Sequence, residues 1–312
     1  MKVVRYHGYG DSDVLIREET GRPRPGAGQV SVKVAATSFN PVDVAIRAGY
    51  LQGVFPVAFP HVPGIDVAGT VAGLGDGVEG WSVGDPVVAF LPMNADGAAA
   101  EYVLAPAEAL AAAPRTIDLV DAAALPVGGL TAWQSLFELA ELKPGQSVLV
   151  NGGGGAVGGF AVQLASRAGA VVTATASARS ADRLRGYGVD RIIDHLDHAS
   201  SPVTADGRPF DVVLNLVTTT PEQTAGLVGL VSDGGALIST TTPPPEAPGR
   251  GVRTARVFVR SDAAQLGELV ARVDRGELRA HVADRRPLAE LAAVHAEAEA
   301  GRLRGKTVLT PA

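Results

Sequence analysis

The segment VLVNGGGGAVGGFAVQLA, residues Val148–Ala165, constrains the fold of this chain more than any other. An apolar run typical of a buried strand leads into five glycines within seven positions, and an apolar-periodic helix follows. Gly152, Gly155 and Gly158 repeat at every third position, and Gly153 with the last two also fits the G-x-G-x-x-G spacing. Such glycines let a strand turn sharply into a helix beside a pyrophosphate. The segment predicts either a dinucleotide site or a tight turn without a ligand, and its strand–turn–helix context favours the first.

The N-terminal part of the chain, up to about residue 115, consists of short candidate strands separated by Gly, Pro and Asp. This rhythm predicts a compact β-barrel-like or sandwich domain. One helix is expected from Pro41 to Ala48, because Asn40 can cap a helix and proline suits the first helical position. Asp43 and Arg47 lie four residues apart, so they could pair on one face of that helix.

From about Asp118 helical segments alternate with nearly continuous Val, Leu and Ile runs. That alternation predicts a doubly wound domain in which helices cover both faces of a parallel sheet. Helical segments are expected at 119–142 and 221–234. Beyond Arg253 we expect a strand at 253–260, helices at 263–275 and 288–300, and a final strand in GKTVLT.

Composition excludes several classes of function. The 312 residues carry a net charge of −6 and show no cluster of Lys and Arg, which argues against a nucleic-acid surface. No secretory h-region or membrane-length apolar run is readable, so a cytoplasmic protein is expected. The absence of cysteine excludes disulfides, thiol nucleophiles and cysteine-ligated zinc. The six histidines show no compact metal-ligand spacing; they are His7, His61, His195, His198, His281 and His295.

The strand after the glycine turn, AVVTATAS, ends at Ser177, where an NAD site usually carries Asp or Glu for the ribose 2′-hydroxyl. Arg179, Arg183 and Arg185 follow within eight residues of it. A missing carboxylate with guanidinium groups nearby favours a 2′-phosphate and therefore NADPH. Each arginine could instead lie on a solvated helix face, so the NADPH prediction depends first on the missing acid.

Five ordered blocks together resemble the zinc-free, zeta-crystallin-like quinone oxidoreductase branch of the medium-chain dehydrogenase/reductases. The blocks are Asn40–Gly49, Pro63–Phe90, Ala124–Phe137, Leu142–Ala165 and Gly305–Leu309. The resemblance implies an α/β protein with a GroES-like β-rich catalytic domain, residues 1–117 and 272–312, and a Rossmann NADPH-binding domain, residues 118–271. Relatives of this kind reduce quinones, or the C=C bond of enones, with NADPH, and the resemblance implies a small-molecule substrate and a homodimer.

The chain departs from its zinc-dependent relatives in a way that matters for metal binding. Where those relatives carry Gly-His-Glu, this sequence has Gly64, Ile65 and Asp66, and the cysteine ligands are missing. We therefore expect no metal site. Several quinone reductases also have a tyrosine five positions after the asparagine of the first block, where Ala45 stands here.

The resemblance implies roles for residues around the reacting atoms. Asn40 and Tyr50 are candidate hydrogen-bond donors to the oxygen that gains charge; Tyr50 lies one position before the catalytic tyrosine of mitochondrial-type enoyl reductases. Asn40 is also a candidate helix cap, which is compatible with the donor role, and Tyr50 could be an apolar cleft wall. Phe55, Phe59 and Met93 form either a substrate wall or ordinary core packing.

The resemblance also implies a set of cofactor contacts. Thr131 and Val217 would lie near the nicotinamide, Ala156 and Val157 would offer backbone N–H groups to the pyrophosphate, and Lys306 would reach the cofactor from the tail. Ser177, Arg179, Arg183 and His195 would surround the 2′-phosphate. His195 could instead be an exposed residue at a strand end.

The predicted function is an NADPH-dependent, zinc-independent reductase of quinones or α,β-unsaturated carbonyls, including enoyl groups. One alternative is a zinc-free carbonyl reductase that forms an alcohol. A second is a non-catalytic NADPH-binding sensor, for which Ala45 is the supporting feature in the sequence.

Overall fold

The computed structural model describes residues 1–197 and 209–311, so His198 lies outside the described residues. The chain forms two compact units. The first consists of Met1–Val127 with Ser261–Ala312, and the second of Gly128–Arg260. The domain boundaries at residues 117/118 and 271/272 stay predictions.

Strands dominate the first unit, and strands and helices largely alternate along the second. The strands are β1 Lys2–Arg5, β2 Ile16–Glu19, β3 Gln29–Ser38, β4 Asp66–Leu74, β5 Pro86–Phe90, β6 Tyr102–Pro106, β7 Leu110–Ala112, β8 Ser147–Asn151, β9 Val171–Thr175, β10 Arg191–Ile193, β11 Phe210–Asn215, β12 Val231–Ser239, β13 Arg253–Arg256, β14 Asp284–Pro287 and β15 Thr307–Thr310. The α-helices are α1 Pro41–Arg47, α2 Leu119–Ala122, α3 Pro126–Trp133, α4 Ala156–Arg167, α5 Ala178–Arg185, α6 Pro221–Leu227, α7 Ala263–Asp274 and α8 Leu291–Glu299.

The first unit is built around a β-sheet in the order β14-β15-β3-β4-β5-β7, with β6 also paired to β3. Its pairings are antiparallel apart from β14 with β15. Alternating valines such as Val30, Val32, Val67 and Val87 are fully buried, which explains the period-two pattern of these strands. The C-terminal strand β15 therefore completes a sheet made mostly from the N-terminal part of the chain.

The second unit has a parallel sheet whose described strands follow the order β10-β9-β8-β11-β12-β13. The strand that comes first in the chain, β8, lies between β9 and β11. This is the order of a doubly wound Rossmann sheet, whose direction of winding reverses between β8 and β11. Ligands of such sheets bind outside the carboxyl ends of the strands at that reversal.

The structure confirms the predicted fold class and corrects several elements. The helical segment 119–142 is divided, because α2 ends at Ala122 and a new helix begins at Pro126. The segment 221–234 is α-helical to Leu227, continues as a 3₁₀ turn at Val228–Leu230, and becomes β12 from Val231. The polar strand β14 and the short β7 were not predicted, because neither has an alternating apolar pattern. In the described part of the chain, no helix has both the length and the apolar character needed to cross a membrane.

Candidate functional site

The glycine turn joins β8 to α4, and Gly152 and Gly158 show two different reasons why it needs glycine. Gly152 has a φ of 97°, which is in the left-handed region that favours glycine. A Cβ atom on Gly158 would lie 2.2 Å from the Gly152 carbonyl oxygen and 2.6 Å from the Gly153 Cα. Helix α4 therefore packs directly on the backbone of the turn, which a side chain at 158 would prevent.

Gly155, by contrast, is not required by the geometry of the turn itself. It is the N-cap of α4 with a φ of −77°, and a Cβ there would meet only the Gly152 oxygen at 3.4 Å. Ala156 and Val157, in the first turn of α4, are partly exposed. Because first-turn N–H groups have no partner within a helix, this end of α4 can bind an anion.

A connected row of polar side chains crosses the carboxyl ends of four neighbouring strands. Thr175 Oγ1 donates to Asn151 Oδ1 at 3.0 Å, and Asn151 Nδ2 donates to Asn215 Oδ1 at 2.8 Å. Asn215 Nδ2 also lies 3.3 Å from Ser239 Oγ, and the Gly152 N–H donates to Thr175 Oγ1 at 2.7 Å. Sequence analysis missed this row, although its signal is readable, since each of these apolar strands ends in a polar residue.

Helix α5 brings one of the candidate arginines to the glycine turn. Arg183 Nη2 donates to the Gly154 carbonyl oxygen at 2.7 Å. Ser180, which the sequence did not single out, lies so close that a Cβ on Gly154 would be 2.8 Å from its Oγ. Arg179 is exposed, and Arg185 pairs with Asp182 on the helix surface.

The remaining predicted cofactor contacts of this unit are placed as follows. Ser177 is the N-cap of α5, and the His195 side chain is 79% exposed with its Nε2 3.4 Å from Asp194 Oδ1. Val217 packs over the glycine turn, because its Cγ1 would be 3.0 Å from a Cβ on Gly152. Thr131 is buried in α3, and its carbonyl oxygen accepts a hydrogen bond from Ser135 Oγ at 2.6 Å.

The first unit contains a buried polar network around the Asp66 carboxylate. Asp66 Oδ2 accepts hydrogen bonds from Asn40 Nδ2 at 2.8 Å and from Lys306 Nζ at 3.0 Å, and also from the Ser38 hydroxyl. Its other oxygen accepts from the Val127 N–H at 2.8 Å. Asp66 is 0% exposed and Lys306 is 3% exposed, so this ion pair is isolated from bulk water.

Asn40 and Lys306 are both engaged within this network. The Lys306 ammonium also donates to Asn40 Oδ1 at 2.7 Å and to the Phe39 carbonyl oxygen at 3.1 Å, which uses its three donors. The Asn40 amide therefore has Lys306 on its oxygen and Asp66 on its nitrogen. Asn40 is also the N-cap residue of α1, where its N–H donates to Asp43 Oδ2 at 2.8 Å.

Asp43 does not pair with Arg47. The Arg47 guanidinium is 0% exposed and bonds instead to the Glu299 carboxylate at the end of α8. Burial raises the pKa of the Asp43 carboxyl to about 7 because the charged form loses its hydration, and the neighbouring Asp66 charge acts in the same direction. The predicted pairing of Arg47 with Asp43, four residues earlier on the helix, is therefore not formed. Arg47 pairs instead with Glu299, which is 252 residues away in the sequence.

The candidate substrate residues differ in their exposure to solvent and in their contacts. The Tyr50 side chain is 81% exposed just beyond α1, and Phe59 is 41% exposed while packing edge-on against Tyr9 at 4.9 Å between ring centroids. Phe55 is partly exposed. Met93 lines a small cavity that also borders Asp43.

Comparison with known proteins agrees with this architecture. The family profile described as "Alcohol dehydrogenase GroES-like domain" matches residues 26–115, and that described as "Zinc-binding dehydrogenase" matches residues 187–309. The chain is 35% identical to a chloroplastic quinone-oxidoreductase homolog of spinach over 78% of its own length and 76% of the relative's. The chain belongs to the quinone oxidoreductase branch of the medium-chain dehydrogenase/reductases.

Another relative and two solved structures extend the comparison for this quinone oxidoreductase chain. A 2-methylene-furan-3-one reductase of tomato is 31% identical over 100% of this chain and 79% of its own length. The quinone oxidoreductase of Coxiella burnetii superimposes with a TM-score of 0.89 at 28% identity, covering 100% of this chain and 99% of that one. A mycobacterial protein solved as a complex with NADPH gives 0.86 at 28% identity and covers 100% of both chains.

The described part of this quinone oxidoreductase chain lacks the metal ligands that the words "zinc-binding" imply. It has no cysteine, and within residues 1–197 and 209–311 no group of three or more His, Asp or Glu side chains could hold a metal ion. Asp66 faces an ammonium, an amide, a hydroxyl and a backbone N–H, all of which donate hydrogen bonds. These surroundings favour a fixed protein cation over a metal ion at this carboxylate.

Proposed function

We propose that this oxidoreductase uses NADPH, without zinc, to reduce quinones or the C=C bond of α,β-unsaturated carbonyls. The observation that carries the proposal is the hydrogen bond from the Arg183 guanidinium to the glycine turn. This arginine lies near Ser177, which follows β9 at the position where an NAD site usually carries an acid. The NADPH complex of a structural neighbour and the enone-reductase name of the tomato relative support it further.

The cofactor, when bound, supplies a hydride, and the protein binds and orients it. The residue roles in this proposal divide by the part of the cofactor they serve. The turn glycines Gly152, Gly155 and Gly158, with the N–H groups of Ala156 and Val157, hold the pyrophosphate; Ser177, Arg179, Arg183 and His195 serve the 2′-phosphate; Thr131 and Val217 border the nicotinamide.

Reduction of a quinone or enone develops negative charge on a carbonyl oxygen, which hydrogen-bond donors stabilise. The exposed Tyr50 hydroxyl is the proposed direct donor. Asn40 and Lys306 contribute through the buried network, since their hydrogen bonds to Asp66 hold the Asn40 amide in one orientation. Phe55 and Phe59 are the proposed apolar wall for the substrate, and Met93 belongs to the neighbouring cavity.

The test is cofactor oxidation by the full chain with a panel of quinones and simple enones, comparing NADPH with NADH. Turnover that prefers NADPH, with a saturated ketone as the enone product, supports the proposal. An allylic alcohol as the product would identify a carbonyl reductase instead. Tight NADPH binding without oxidation of any acceptor would favour the non-catalytic sensor.

Replacement of Arg183 by glutamine should selectively weaken NADPH use. A guanidinium pairs with phosphate far better than an amide does, so we expect KM for NADPH to rise by about tenfold, equivalent to about 1.4 kcal/mol, while KM for NADH stays unchanged. Arg185→Gln is the matched control on the same helix, because that side chain pairs with Asp182 at the surface. Equal losses with NADPH and NADH would exclude Arg183 from the 2′-phosphate site.

A homodimer is the proposed assembly. The described sheet of the second unit ends at β13, whose outer edge can pair with a second copy, and Phe258 just beyond it is 66% exposed. Light scattering coupled to gel filtration should give twice the chain mass. Phe258→Glu should shift the protein to the monomer mass, whereas an unchanged dimer would place the interface elsewhere.

A further inference from the structure

A small cavity in the first unit is bordered by ionisable side chains that the proposed reaction does not use. Its lining includes Tyr6, Asp43, His61, Gly64 and Met93. Tyr6 is 0% exposed, and its hydroxyl has no hydrogen-bond partner among the described residues. Because an unpartnered buried hydroxyl is costly, this cavity favours a polar occupant such as a water molecule.

The acidic group that borders this cavity is the Asp43 carboxyl, and two backbone groups contact it. It accepts hydrogen bonds from the backbone N–H groups of Asn40 and Gly64, which favour its ionised form. Burial opposes ionisation and is the larger effect, so the pKa of Asp43 rises to about 7. Asp43 therefore gains and loses a proton near neutral pH.

The charged groups around Asp43 come from several elements. Asp66 on β4 repels a second negative charge, whereas the Lys306 ammonium before β15 attracts it. Arg47 on the same helix is committed to Glu299. His61 contributes no positive charge near neutral pH, because burial lowers its pKa.

We propose that Asp43 and Tyr6 form a proton-binding site that sets the charge of the network holding Asn40. With the proton bound, the Asp66 carboxylate and the Lys306 ammonium balance each other. With the proton released to water, the network carries one excess negative charge beside the Asn40 amide. This inference rests on the proposed function, in which a substrate oxygen gains negative charge, so the protonated form of Asp43 supports activity.

The first test is the pH dependence of kcat/KM for quinone reduction on both sides of about pH 7. Activity of the unmodified protein should fall as the pH rises through this region. Asp43→Asn should remove that fall, because an amide does not titrate and its oxygen still accepts from the Asn40 N–H. Asp13→Asn, an exposed carboxylate elsewhere in the unit, is the matched control and should keep the original profile. A profile of Asp43→Asn that parallels the unmodified protein would overturn the inference.

The second test does not depend on activity, so it separates this inference from the proposed function. A pKa raised from 3.8 to about 7 in the folded state means that the folded protein binds the proton more tightly than the unfolded chain. The contribution of Asp43 to the free energy of unfolding should therefore fall as the pH rises from 3.8 to about 7. Other groups contribute with the opposite sign, such as the buried His295, whose pKa is lowered to about 3 by burial, so each variant is compared with the unmodified protein. In urea unfolding without cofactor, the free energy of unfolding of the unmodified protein minus that of Asp43→Asn should fall over this pH range. The same difference for Asp13→Asn should not show that fall.

The pH profile of activity and the pH dependence of stability test different parts of the proposal. Equal stability slopes in Asp43→Asn and the unmodified protein would overturn the proton-binding site itself. A changed stability slope with an unchanged activity profile would overturn its link to reduction. If the unmodified protein reduces no acceptor, the proposed function fails and the stability slopes alone decide whether the site exists.

Tyr6→Phe tests the role of Tyr6 in the site. It also replaces Asp43→Asn as the test variant if Asp43→Asn does not fold. The Tyr6 hydroxyl, through a water in the cavity, donates to the ionised carboxylate more strongly than to the protonated acid. Its removal should move the midpoint of the stability change to higher pH. An unchanged midpoint would exclude Tyr6 from the proton-binding site.

Discussion

Gly158→Ala should weaken cofactor binding by about tenfold or more and destabilise the second unit. The new methyl group would lie 2.2 Å from the Gly152 carbonyl oxygen, and backbone cannot move aside as a flexible side chain can. Helix α4 would have to shift away from the turn, at a cost of about 1–3 kcal/mol or more. The shift would also displace the N–H groups of Ala156 and Val157, and each 1.4 kcal/mol lost weakens binding by about tenfold. Fluorescence titration with NADPH and thermal unfolding measure the two effects.

The next residue offers a matched control. A Cβ on Gly159 would meet Tyr187 Cε2 at 3.5 Å, an ordinary contact, and alanine favours a helix over glycine by about 1 kcal/mol. Gly159→Ala should therefore bind NADPH normally and unfold at the same or a higher temperature. Similar behaviour of the two variants would mean that the close packing at Gly158 is not what the cofactor site requires.

Lys306→Met should strongly destabilise the first unit. It leaves the Asp66 carboxylate buried without its counter-charge and removes the donor from Asn40 Oδ1 and the Phe39 carbonyl. Breaking one side of a buried ion pair costs about 3–5 kcal/mol. Urea unfolding should show a loss of that size, whereas Lys143→Met, at an exposed position, should change stability by less than about 0.5 kcal/mol.

The double variant Lys306→Met with Asp66→Asn identifies the origin of that loss. Neutralising the carboxylate removes the uncompensated charge, so the double variant should be more stable than Lys306→Met alone. If it were no more stable, lost packing of the lysine stem would account for the effect, and the ion pair would not.

Periodicity and turn residues were sufficient to predict the two kinds of sheet, the glycine turn and most helices. They were insufficient for contacts that join distant parts of the chain. Lys306 and Asp66 are separated by 240 residues, so no local pattern could reveal that the lysine is buried on that carboxylate. The spacing of the α5 arginines likewise gave no basis for distinguishing Arg183, which reaches the Gly154 carbonyl, from Arg185, which faces outward.

Some features could have been predicted from the sequence but were not. Four strands end in Asn, Thr, Asn and Ser after apolar runs, and the parallel sheet brings these ends to one edge. Inspection of the last residue of every candidate parallel strand would have predicted this row of polar side chains. The raised pKa of Asp43, in contrast, depends on burial and on Asp66, and neither is visible before the strands are paired.

The position of β15 between β14 and β3 affects how this protein folds as it leaves the ribosome. The whole of Gly128–Arg260 emerges before Thr307–Thr310 has been synthesised, so the Rossmann unit can fold during translation. The GroES-like unit is completed later, because its sheet lacks β15 and the Asp66 carboxylate lacks the Lys306 ammonium until residues 306–310 have been synthesised. During synthesis, the end of β3 at Thr37 and Ser38 therefore lacks β15, its partner strand on that edge, whereas residues 29–33 of β3 can already pair with β6. A chain truncated before Thr307 would leave that edge of β3 without a partner strand at Thr37 and Ser38.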